Sequence, residues 1–291
     1  MTPQEYCQQK AASSGSSFYY SFLSLPDDKR LAITALYAFC REVDDIVDSP
    51  GELHIKGTKL SWWRGEIDQL YSGTPQHPIT RALKPVLEQF DLPREHFLEI
   101  IDGMEMDLHP RRYASFKDLS LYCYRVASVV GLMSAEIFGY QDRKTLKYAH
   151  DLGIAFQLTN ILRDIQDDLA HERVYLPQDE LQQYGITEMN IRQRECTDQF
   201  KNFMQFQIER AKHYYQRAFE QLPESDRYAQ RTGIIMAAIY HKLLDKIAQD
   251  PCRVLNGRIS LTPVHKLWIA WRTSRRETRR YRQTSRQQAH A

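Results

Sequence analysis

The chain has 291 residues and a net charge of +2, enough for one large domain or two smaller ones. No Pro/Gly/Ser-rich linker divides it, and its N-terminus lacks the basic start and apolar core of a signal peptide. The best apolar runs, 126–133 and 233–240, are too short to span a bilayer. We therefore expect a soluble protein that at most touches a membrane surface.

The charge of the chain is unevenly distributed, and its cysteines show no motif. Residues 272–286 include seven arginines and one glutamate, so this stretch carries +6 and leaves the rest of the chain at about −4, a body that attracts metal cations. The basic stretch lacks a nucleic-acid motif, and we interpret it first as a solvated or frayed tail and second as a weak attachment to anionic membranes. The five cysteines are odd in number and include no CxxC pair, which suggests a reducing cytoplasm.

Apolar residues recur at intervals of three and four along the chain, and no segment shows the sustained alternation of a half-buried strand. We predict an all-α fold with a single core, in which residues 1–271 form one helical domain and residues 272–291 a basic helix end or tail. The predicted helices are one between Pro26 and Pro50, then 60–71, 79–90, 94–108, 118–138, 144–168, 196–222, 226–249 and 262–282.

Two aspartate-rich segments lie more than a hundred residues apart, and each is spaced for one face of a helix. Acids at the end of the first helix oppose its macrodipole, and carboxylates in apolar neighbourhoods need a cation. Mg²⁺ is the natural candidate, since it prefers oxygen ligands and phosphate. Either stripe alone is compatible with a solvated face that forms salt bridges, but two such stripes together favour a diphosphate site. The first comprises Arg41, Asp44 and Asp48, and the second Gln157, Asn160, Asp164 and Asp168.

These motifs resemble the squalene/phytoene synthase family. The likeness covers residues 16–18, 36–48, 122–131, 157–168 and 173–177, in order through nearly the whole chain. The paired DxxxD motifs and the block between them are highly specific. The form of the blocks is most similar to the bacterial presqualene diphosphate synthases of hopanoid pathways.

The resemblance implies an isoprenoid-synthase-type helical bundle around a central apolar cavity. It also implies head-to-head condensation of two farnesyl diphosphates to presqualene diphosphate, with release of diphosphate. Two or three Mg²⁺ ions are expected, and NADPH is not expected for this step. The implied metal ligands are Asp44, Asp48, Asn160, Asp164 and Asp168.

The resemblance further implies roles for arginines and tyrosines. Substrate contacts are expected from Ser17, Phe18, Arg41, Gln157, Asn160, Arg163 and Arg173, although Arg163 alternatively forms a surface ion pair. Three tyrosines match family tyrosines near the site: Tyr37, Tyr122 and Tyr240. One of them, or the released diphosphate, is expected to accept the proton that leaves the substrate. Alternatively, each is a buried tyrosine whose hydroxyl is bonded to the backbone. Candidate wall residues for the carbocation are Phe18, Tyr37, Ala127, Val130, Leu132 and Phe156, each of which alternatively belongs to the ordinary core.

Several alternatives stay open. Within the family these are a phytoene or dehydrosqualene synthase and a full NADPH-dependent squalene synthase. Outside it they are a terpene cyclase acting on one farnesyl diphosphate, and a non-catalytic helical protein that binds nucleic acid or a membrane through the residues after Trp271. We expect no nucleic-acid partner and a cytoplasmic location with peripheral contact to the inner membrane. Gly131 and Gly153 lie inside predicted helices, and we expect that they allow either close helix packing or room for an isoprenoid tail. The oligomeric state is left open.

Overall fold

Helices form nearly all the regular structure of the protein. The computed structural model describes residues 1–13, 21–22, 25–109 and 112–289, and Ser17 and Phe18 lie outside these ranges. The described residues contain one isolated β-bridge, between Arg112 and Val174, and no strand. The all-α prediction is therefore confirmed.

The first half of the bundle packs around the helix that carries the first acidic stripe. This helix begins after Pro26, with Asp27 and Asp28 in its first turn, where acids suit the positive end of the helix dipole. Its buried face packs against the helices on either side in sequence. The elements are α1 (Pro3–Ser13), α2 (Asp27–Asp48), α3 (Leu53–Ser72), α4 (Pro78–Leu87) and α5 (Arg94–Met106).

The second half packs around the helix that carries the second acidic stripe. A π-helical turn, Tyr124–Ser128, joins two α-helices into one continuous stretch; such turns insert a residue and are frequent at functional sites. A 3₁₀ turn, Pro251–Asn256, precedes the last helix. The α-helices are α6 (Phe116–Cys123), α7 (Val129–Phe138), α8 (Lys144–Arg163), α9 (Ile165–Ala170), α10 (Gln178–Gln183), α11 (Glu188–Arg192), α12 (Asp198–Gln221), α13 (Arg231–Gln249) and α14 (Pro263–Ala289).

The observed helices differ from the predicted ones at three informative places. The helix predicted over 144–168 is broken at Asp164, whose backbone (φ −104°, ψ 13°) ends α8 before α9 starts. The helix predicted from residue 60 already begins at Leu53. Residues 53–59 were not predicted to be helical because they show no strong apolar periodicity. The short helices α1, α10 and α11 were not predicted, since they contain few apolar repeats.

Close helix packing explains the two glycines inside helices. A Cβ at Gly131 would lie 2.6 Å from the carbonyl oxygen of Ala149, and one at Gly153 would lie 2.6 Å from the Cα of Ser128. The π-helical turn and α7 therefore approach α8 closely enough to exclude a side chain. Both glycines also line the central cavity. Close helix packing and room inside the cavity are therefore compatible explanations for glycine at these two positions.

Phe116–Phe138 also corrects the expectation that no stretch is long and apolar enough to cross a membrane. Among the described residues it is the one helical stretch that meets this test, with a mean hydropathy of 1.3 in its most apolar part, of which 44% is buried inside the protein. Tyr122, Cys123 and Val129 lie in the hydrophobic core. The stretch is placed as a central helix of the bundle.

Cysteines and the basic C-terminus also depart from expectation. Cys196 forms a disulfide with Cys252, a pairing that the number and spacing of the cysteines did not predict. Helix α14 runs through the basic stretch as one continuous helix, and Glu277 on its inner face is buried against Arg227. The expectation of a solvated or frayed tail is therefore wrong for the inner face of this helix.

Candidate active site

A cavity of about 820 Å³ lies between the two halves of the bundle. Its lining includes apolar side chains such as Ile33, Leu36 and Met236 as well as the residues of the two acidic stripes. Every described residue that was predicted as a metal ligand, a substrate contact or a catalytic tyrosine lines this cavity. These residues are Tyr37, Arg41, Asp44, Asp48, Tyr122, Gln157, Asn160, Arg163, Asp164, Asp168, Arg173 and Tyr240.

The first stripe lies at the C-terminal end of α2. Arg41 donates to Asp44 and, at 2.7 Å, to Asp45. Burial raises the pKa of Asp44 to about 7, with Asp48 and Asp45 adding to the rise and Arg41 opposing it. The negative charge of this stripe is therefore only partly balanced within the protein.

The second stripe spans the break between α8 and α9. Arg163 donates its Nε to the Asp164 carboxylate at 2.7 Å, and the Arg258 Nε lies 3.1 Å from the same carboxylate. Burial raises the pKa of Asp168 to about 8, and neighbouring Asp164 adds to the rise. The spacing had predicted that Gln157 and Asp168 lie on one face of a single helix. Because α8 ends at Asp164, Asp168 instead belongs to the next helix, α9.

Arg173 connects the two stripes. It follows the second stripe in sequence, yet its Nη1 lies 2.7 Å from the carboxylate of Asp48 in the first. Its Nη2 donates to the carbonyl of Val47 at 3.1 Å. The acidic ends of α2 and α9 are therefore neighbours in space, as the interpretation of a shared site requires.

Asp107 is a cavity carboxylate that the sequence analysis missed. It accepts hydrogen bonds of 2.8 Å from the hydroxyls of both Tyr122 and Tyr175, whose oxygens lie 3.3 Å apart. Burial raises the pKa of Asp107 to about 6, although Arg173 and the two tyrosines oppose the rise. A signal existed in the sequence: Asp107 ends α5, so it too is an acid that opposes a helix dipole.

Two further cations near the second stripe were also missed. Arg258 and Lys266 both line the cavity, and both come from the segment between the 3₁₀ turn and the first turn of α14. Burial, with Arg163 and Arg258 nearby, lowers the pKa of Lys266. This accumulation of positive charge suits an anionic group that bridges to the carboxylates. No periodicity or motif in the sequence predicts that this segment, about a hundred residues after α8, lies beside it.

The donor set fits a divalent metal, although it is not a closed metal site. Among the described residues, no three histidine, cysteine or acidic side chains form a ready-made metal-binding group. The Oδ1 atom of Asn160 is buried without a hydrogen-bond partner, while its Nδ2 donates to Gln157 at 3.4 Å. This amide oxygen and the stripe carboxylates line the same cavity and are the hard oxygen ligands that Mg²⁺ prefers. Open sites of this type complete their coordination with water and phosphate.

The walls of the cavity match most of the predicted aromatic and apolar residues. Tyr37, Ala127, Val130 and Phe156 line it. Leu132 does not line it but packs against the core cluster of α8, α12 and α13, because it follows Val130 by only two residues and so lies on another side of α7.

Helices, cavity and paired acidic stripes together define an all-α isoprenoid synthase. A family model described as squalene/phytoene synthase matches residues 11–265. The chain belongs to the squalene/phytoene synthase family. Its members are prenyltransferase-type isoprenoid enzymes that bind prenyl diphosphates and use divalent metal for these substrates.

Relatives and solved structures give a consistent picture of the family. The chain is 34% identical over 275 residues to a 15-cis-phytoene synthase of Synechococcus elongatus, covering 90% of this chain and 89% of the relative. A dehydrosqualene synthase solved with a ligand has a TM-score of 0.82 and 26% identity over 93% of this chain and 95% of that one. The squalene synthase HpnC from Alicyclobacillus acidocaldarius has a TM-score of 0.77 and 28% identity, covering 88% and 95% respectively. The chain spans 65% of the longer chloroplastic phytoene synthase of an Oncidium hybrid cultivar.

Proposed function

We propose that the protein catalyses the Mg²⁺-dependent head-to-head condensation of two farnesyl diphosphates to presqualene diphosphate, with release of diphosphate. The observation that supports this most directly is that both acidic stripes and many apolar side chains line one cavity. A diphosphate would lie at the acids and an isoprenoid chain against the apolar walls.

The metal ligands in this proposal are Asp44, Asp48, Asn160, Asp164 and Asp168, with two or three ions expected. When bound, Mg²⁺ would supply positive charge that stabilises the departing diphosphate. Asp44 and Asp168, whose pKa is raised by burial and further by neighbouring acids, would then gain a counter-charge.

The arginines in this proposal exchange carboxylates for phosphate. Arg41, Arg163 and Arg173 each hold a stripe carboxylate in the present structure. Their planar guanidinium groups match phosphate oxygens equally well, so an entering diphosphate competes for the same donors. Ser17 and Phe18 remain proposed substrate contacts outside the described residues, and Gln157 is proposed to orient Asn160.

Proton removal is proposed to pass through Tyr122. Burial and the neighbouring Asp107 raise the pKa of Tyr122 well above its ordinary value, so the phenol stays protonated. Its hydroxyl already donates to Asp107. The phenol oxygen would accept the proton that leaves carbon as the cyclopropane closes, and the phenol proton would pass to the Asp107 carboxylate. Tyr37 and Tyr240 line the same cavity; Tyr240 interacts with Arg163 and its ring lies 4.9 Å from that of Phe156.

Phytoene synthesis is the second candidate, because the sequence relatives are phytoene synthases with about one third identity over 90% of this chain. The two functions differ in substrate length, C15 against C20, and in whether the cyclopropyl diphosphate is the final product. A full squalene synthase would in addition consume NADPH. The proposed localisation is cytoplasmic.

Mass spectrometry of the products tests these alternatives directly. Purified protein is given farnesyl or geranylgeranyl diphosphate with Mg²⁺, each with and without NADPH. We expect presqualene diphosphate from the C15 substrate without reductant, and no product in excess EDTA. Phytoene from the C20 substrate as the main product would favour the second candidate. A C15 hydrocarbon or alcohol would indicate a cyclase, and full turnover in EDTA would refute the metal-dependent proposal.

A further inference from the structure

The outward face of α14 carries large apolar side chains in a helical stripe. Val264, Leu267, Trp268 and Trp271 are 76%, 47%, 50% and 57% exposed. Successive members are three, one and three residues apart, which places them on one side of the helix. The opposite side, with Ile269, Ala270, Thr273 and Glu277, is buried against the protein. The stripe is therefore an apolar surface on a helix that is already anchored.

Arginines surround this stripe. Arg272 lies over the ring of Trp268 at 5.2 Å, and Arg275 over the ring of Trp271 at 4.9 Å. Within the described part of the chain, Arg272, Arg275 and Arg279 have no carboxylate partner, whereas Arg280 pairs with Glu224 at 2.6 Å. Arg276 likewise pairs with Glu277 at 3.2 Å, so Arg272, Arg275 and Arg279 are the arginines beside the stripe that are available to an external anion.

A groove between α13 and α14 continues the basic surface. It has a volume of about 1250 Å³ and is lined by Lys242 and by several arginines of α14. Asp245 is the only carboxylate among its described lining residues. The walls include Trp268 and Ile269, so the groove combines cationic rims with apolar surface. This combination fits a lipid headgroup and the upper part of an acyl chain.

We propose that the face formed by Val264, Leu267, Trp268, Trp271, Arg272, Arg275 and Arg279 is a docking surface for an anionic lipid bilayer. Tryptophan prefers the boundary between headgroups and acyl chains, and basic residues bind the negative surface. An amphipathic helix of this composition lies in the plane of the membrane. Duplex nucleic acid would use the arginines but has no need of the exposed tryptophans and aliphatic residues.

The position of the surface connects it with the cavity. Lys266, in the first turn of α14, lines the cavity, as do residues 258–261 just before the helix. Docking through α14 would place this rim of the cavity near the bilayer, where long isoprenoid chains partition. This last step rests on the proposed function; the docking surface itself does not.

Vesicle flotation tests the proposal with the full chain. The probes are vesicles of phosphatidylcholine alone and of phosphatidylcholine with phosphatidylglycerol, at low and raised salt. We expect flotation with the anionic vesicles only, weakened by salt. Trp268→Ala with Trp271→Ala should reduce affinity on the order of tenfold. Arg272→Gln, Arg275→Gln and Arg279→Gln together should reduce it by about fivefold per arginine.

Matched controls separate this surface from general charge and hydrophobicity. Trp62→Ala removes a tryptophan that is also 50% exposed, and Lys59→Gln, Arg81→Gln and Arg143→Gln together remove the same charge elsewhere on the surface. Both controls should bind like the wild type. Equal binding to neutral vesicles, equal losses in the control variants, or unchanged binding in the α14 variants would overturn the proposal. So would tighter binding of duplex DNA that the tryptophan variant leaves unchanged.

Turnover of prenyl diphosphates in detergent solution, without vesicles, provides the check on folding. The α14 variants should keep wild-type turnover, since none of their changed residues lines the cavity. If the wild type shows no turnover but floats as expected, the proposed function fails and the docking surface stands. If turnover is present and flotation is absent, the reverse holds.

Discussion

The carboxylates of the cavity and the carboxylates that join the outer helices differ in what surrounds them. Asp226 accepts from the backbone N–H groups of Gln141 and Asp142 at 2.9 and 3.0 Å and from Thr145 at 2.7 Å. These donors lower its pKa. In the cavity, burial and neighbouring acids raise the pKa of Asp44 and Asp168 instead.

This difference in surroundings distinguishes acids that stabilise the fold from acids whose charge is left for a bound cation to neutralise. A carboxylate surrounded by donors favours the folded state, whereas carboxylates that crowd together cost stability until a cation arrives. Glu66 belongs to the first group, since it caps α4 by accepting from two backbone N–H groups and Thr80. Four experiments test this division.

The largest effect is expected for Asp44→Asn. Diphosphate release from farnesyl diphosphate should fall by about 10²–10³-fold, because an electrostatic contact to the reacting group is lost. The unfolding temperature should stay equal or rise, because a repelling charge is removed. Asp68→Asn, at an exposed acid paired with Arg94, is the control and should change neither quantity. Turnover within about tenfold of the wild type would remove Asp44 from the site.

Asp226→Ala should show the opposite pattern. Two backbone N–H groups and the buried Thr145 lose their acceptor, which should lower the free energy of unfolding by about 3 kcal/mol. Urea unfolding measures this, and turnover per folded molecule should be unchanged. Ser225→Ala, which removes one donor at 3.1 Å, should cost far less. Equal losses for the two variants would mean that Asp226 is not the centre of this junction.

Ligand binding should stabilise only a protein with an intact cavity. Mg²⁺ with pyrophosphate at about 100 times its Kd should add about 2.7 kcal/mol to the free energy of unfolding. Excess EDTA should abolish the gain. Asp44→Asn should lose this response, whereas Asp226→Asn should keep it from a lower starting stability. A response that survives in Asp44→Asn would place the ligand elsewhere.

The two groups of acids should respond to pH with opposite sign. Folded Asp168 has a pKa of about 8, above its usual 3.8, so the metal-free folded state holds this proton more tightly than the unfolded chain. Its contribution is therefore fully present below about pH 3.8 and is lost progressively as the pH rises through about 8. The lowered pKa of Asp226 gives stability that is present above 3.8 and lost as the pH falls below it.

Urea unfolding in EDTA across this pH range measures both signs. Asp168→Asn should flatten the slope between about pH 5 and about pH 8, and Asp226→Asn should flatten only the acid limb. An Asp168→Asn variant with the same slope as the wild type across the neutral range would contradict the raised pKa of Asp168.

Local patterns predicted much of the cavity because its chemistry is carried by helices. The apolar repeats located α2, α8, α12 and α13, and the spacing of the acids identified both stripes before any packing was known. Acids that oppose a helix dipole were a physical signal, and Asp107 shows that the same signal, applied to α5, would have found one more.

The remaining features depend on which distant segments meet. Nothing local places Arg258 at 3.1 Å from Asp164, Arg173 beside Asp48, or Cys196 beside Cys252. Nor does the hydrophobic period show that α8 ends at Asp164 or that Tyr124–Ser128 forms a π-helical turn.

The sequence by itself determined the helical class, the two acidic stripes and their family, because helix periodicity and side-chain chemistry act over a few residues. The tertiary structure alone decided that the stripes share one cavity, that Tyr122 and Tyr175 both bond to Asp107, and that α14 presents its tryptophans outward. The physical reason is that such contacts come from the packing of helices far apart in the chain, and the energy that selects this packing is distributed over the whole core.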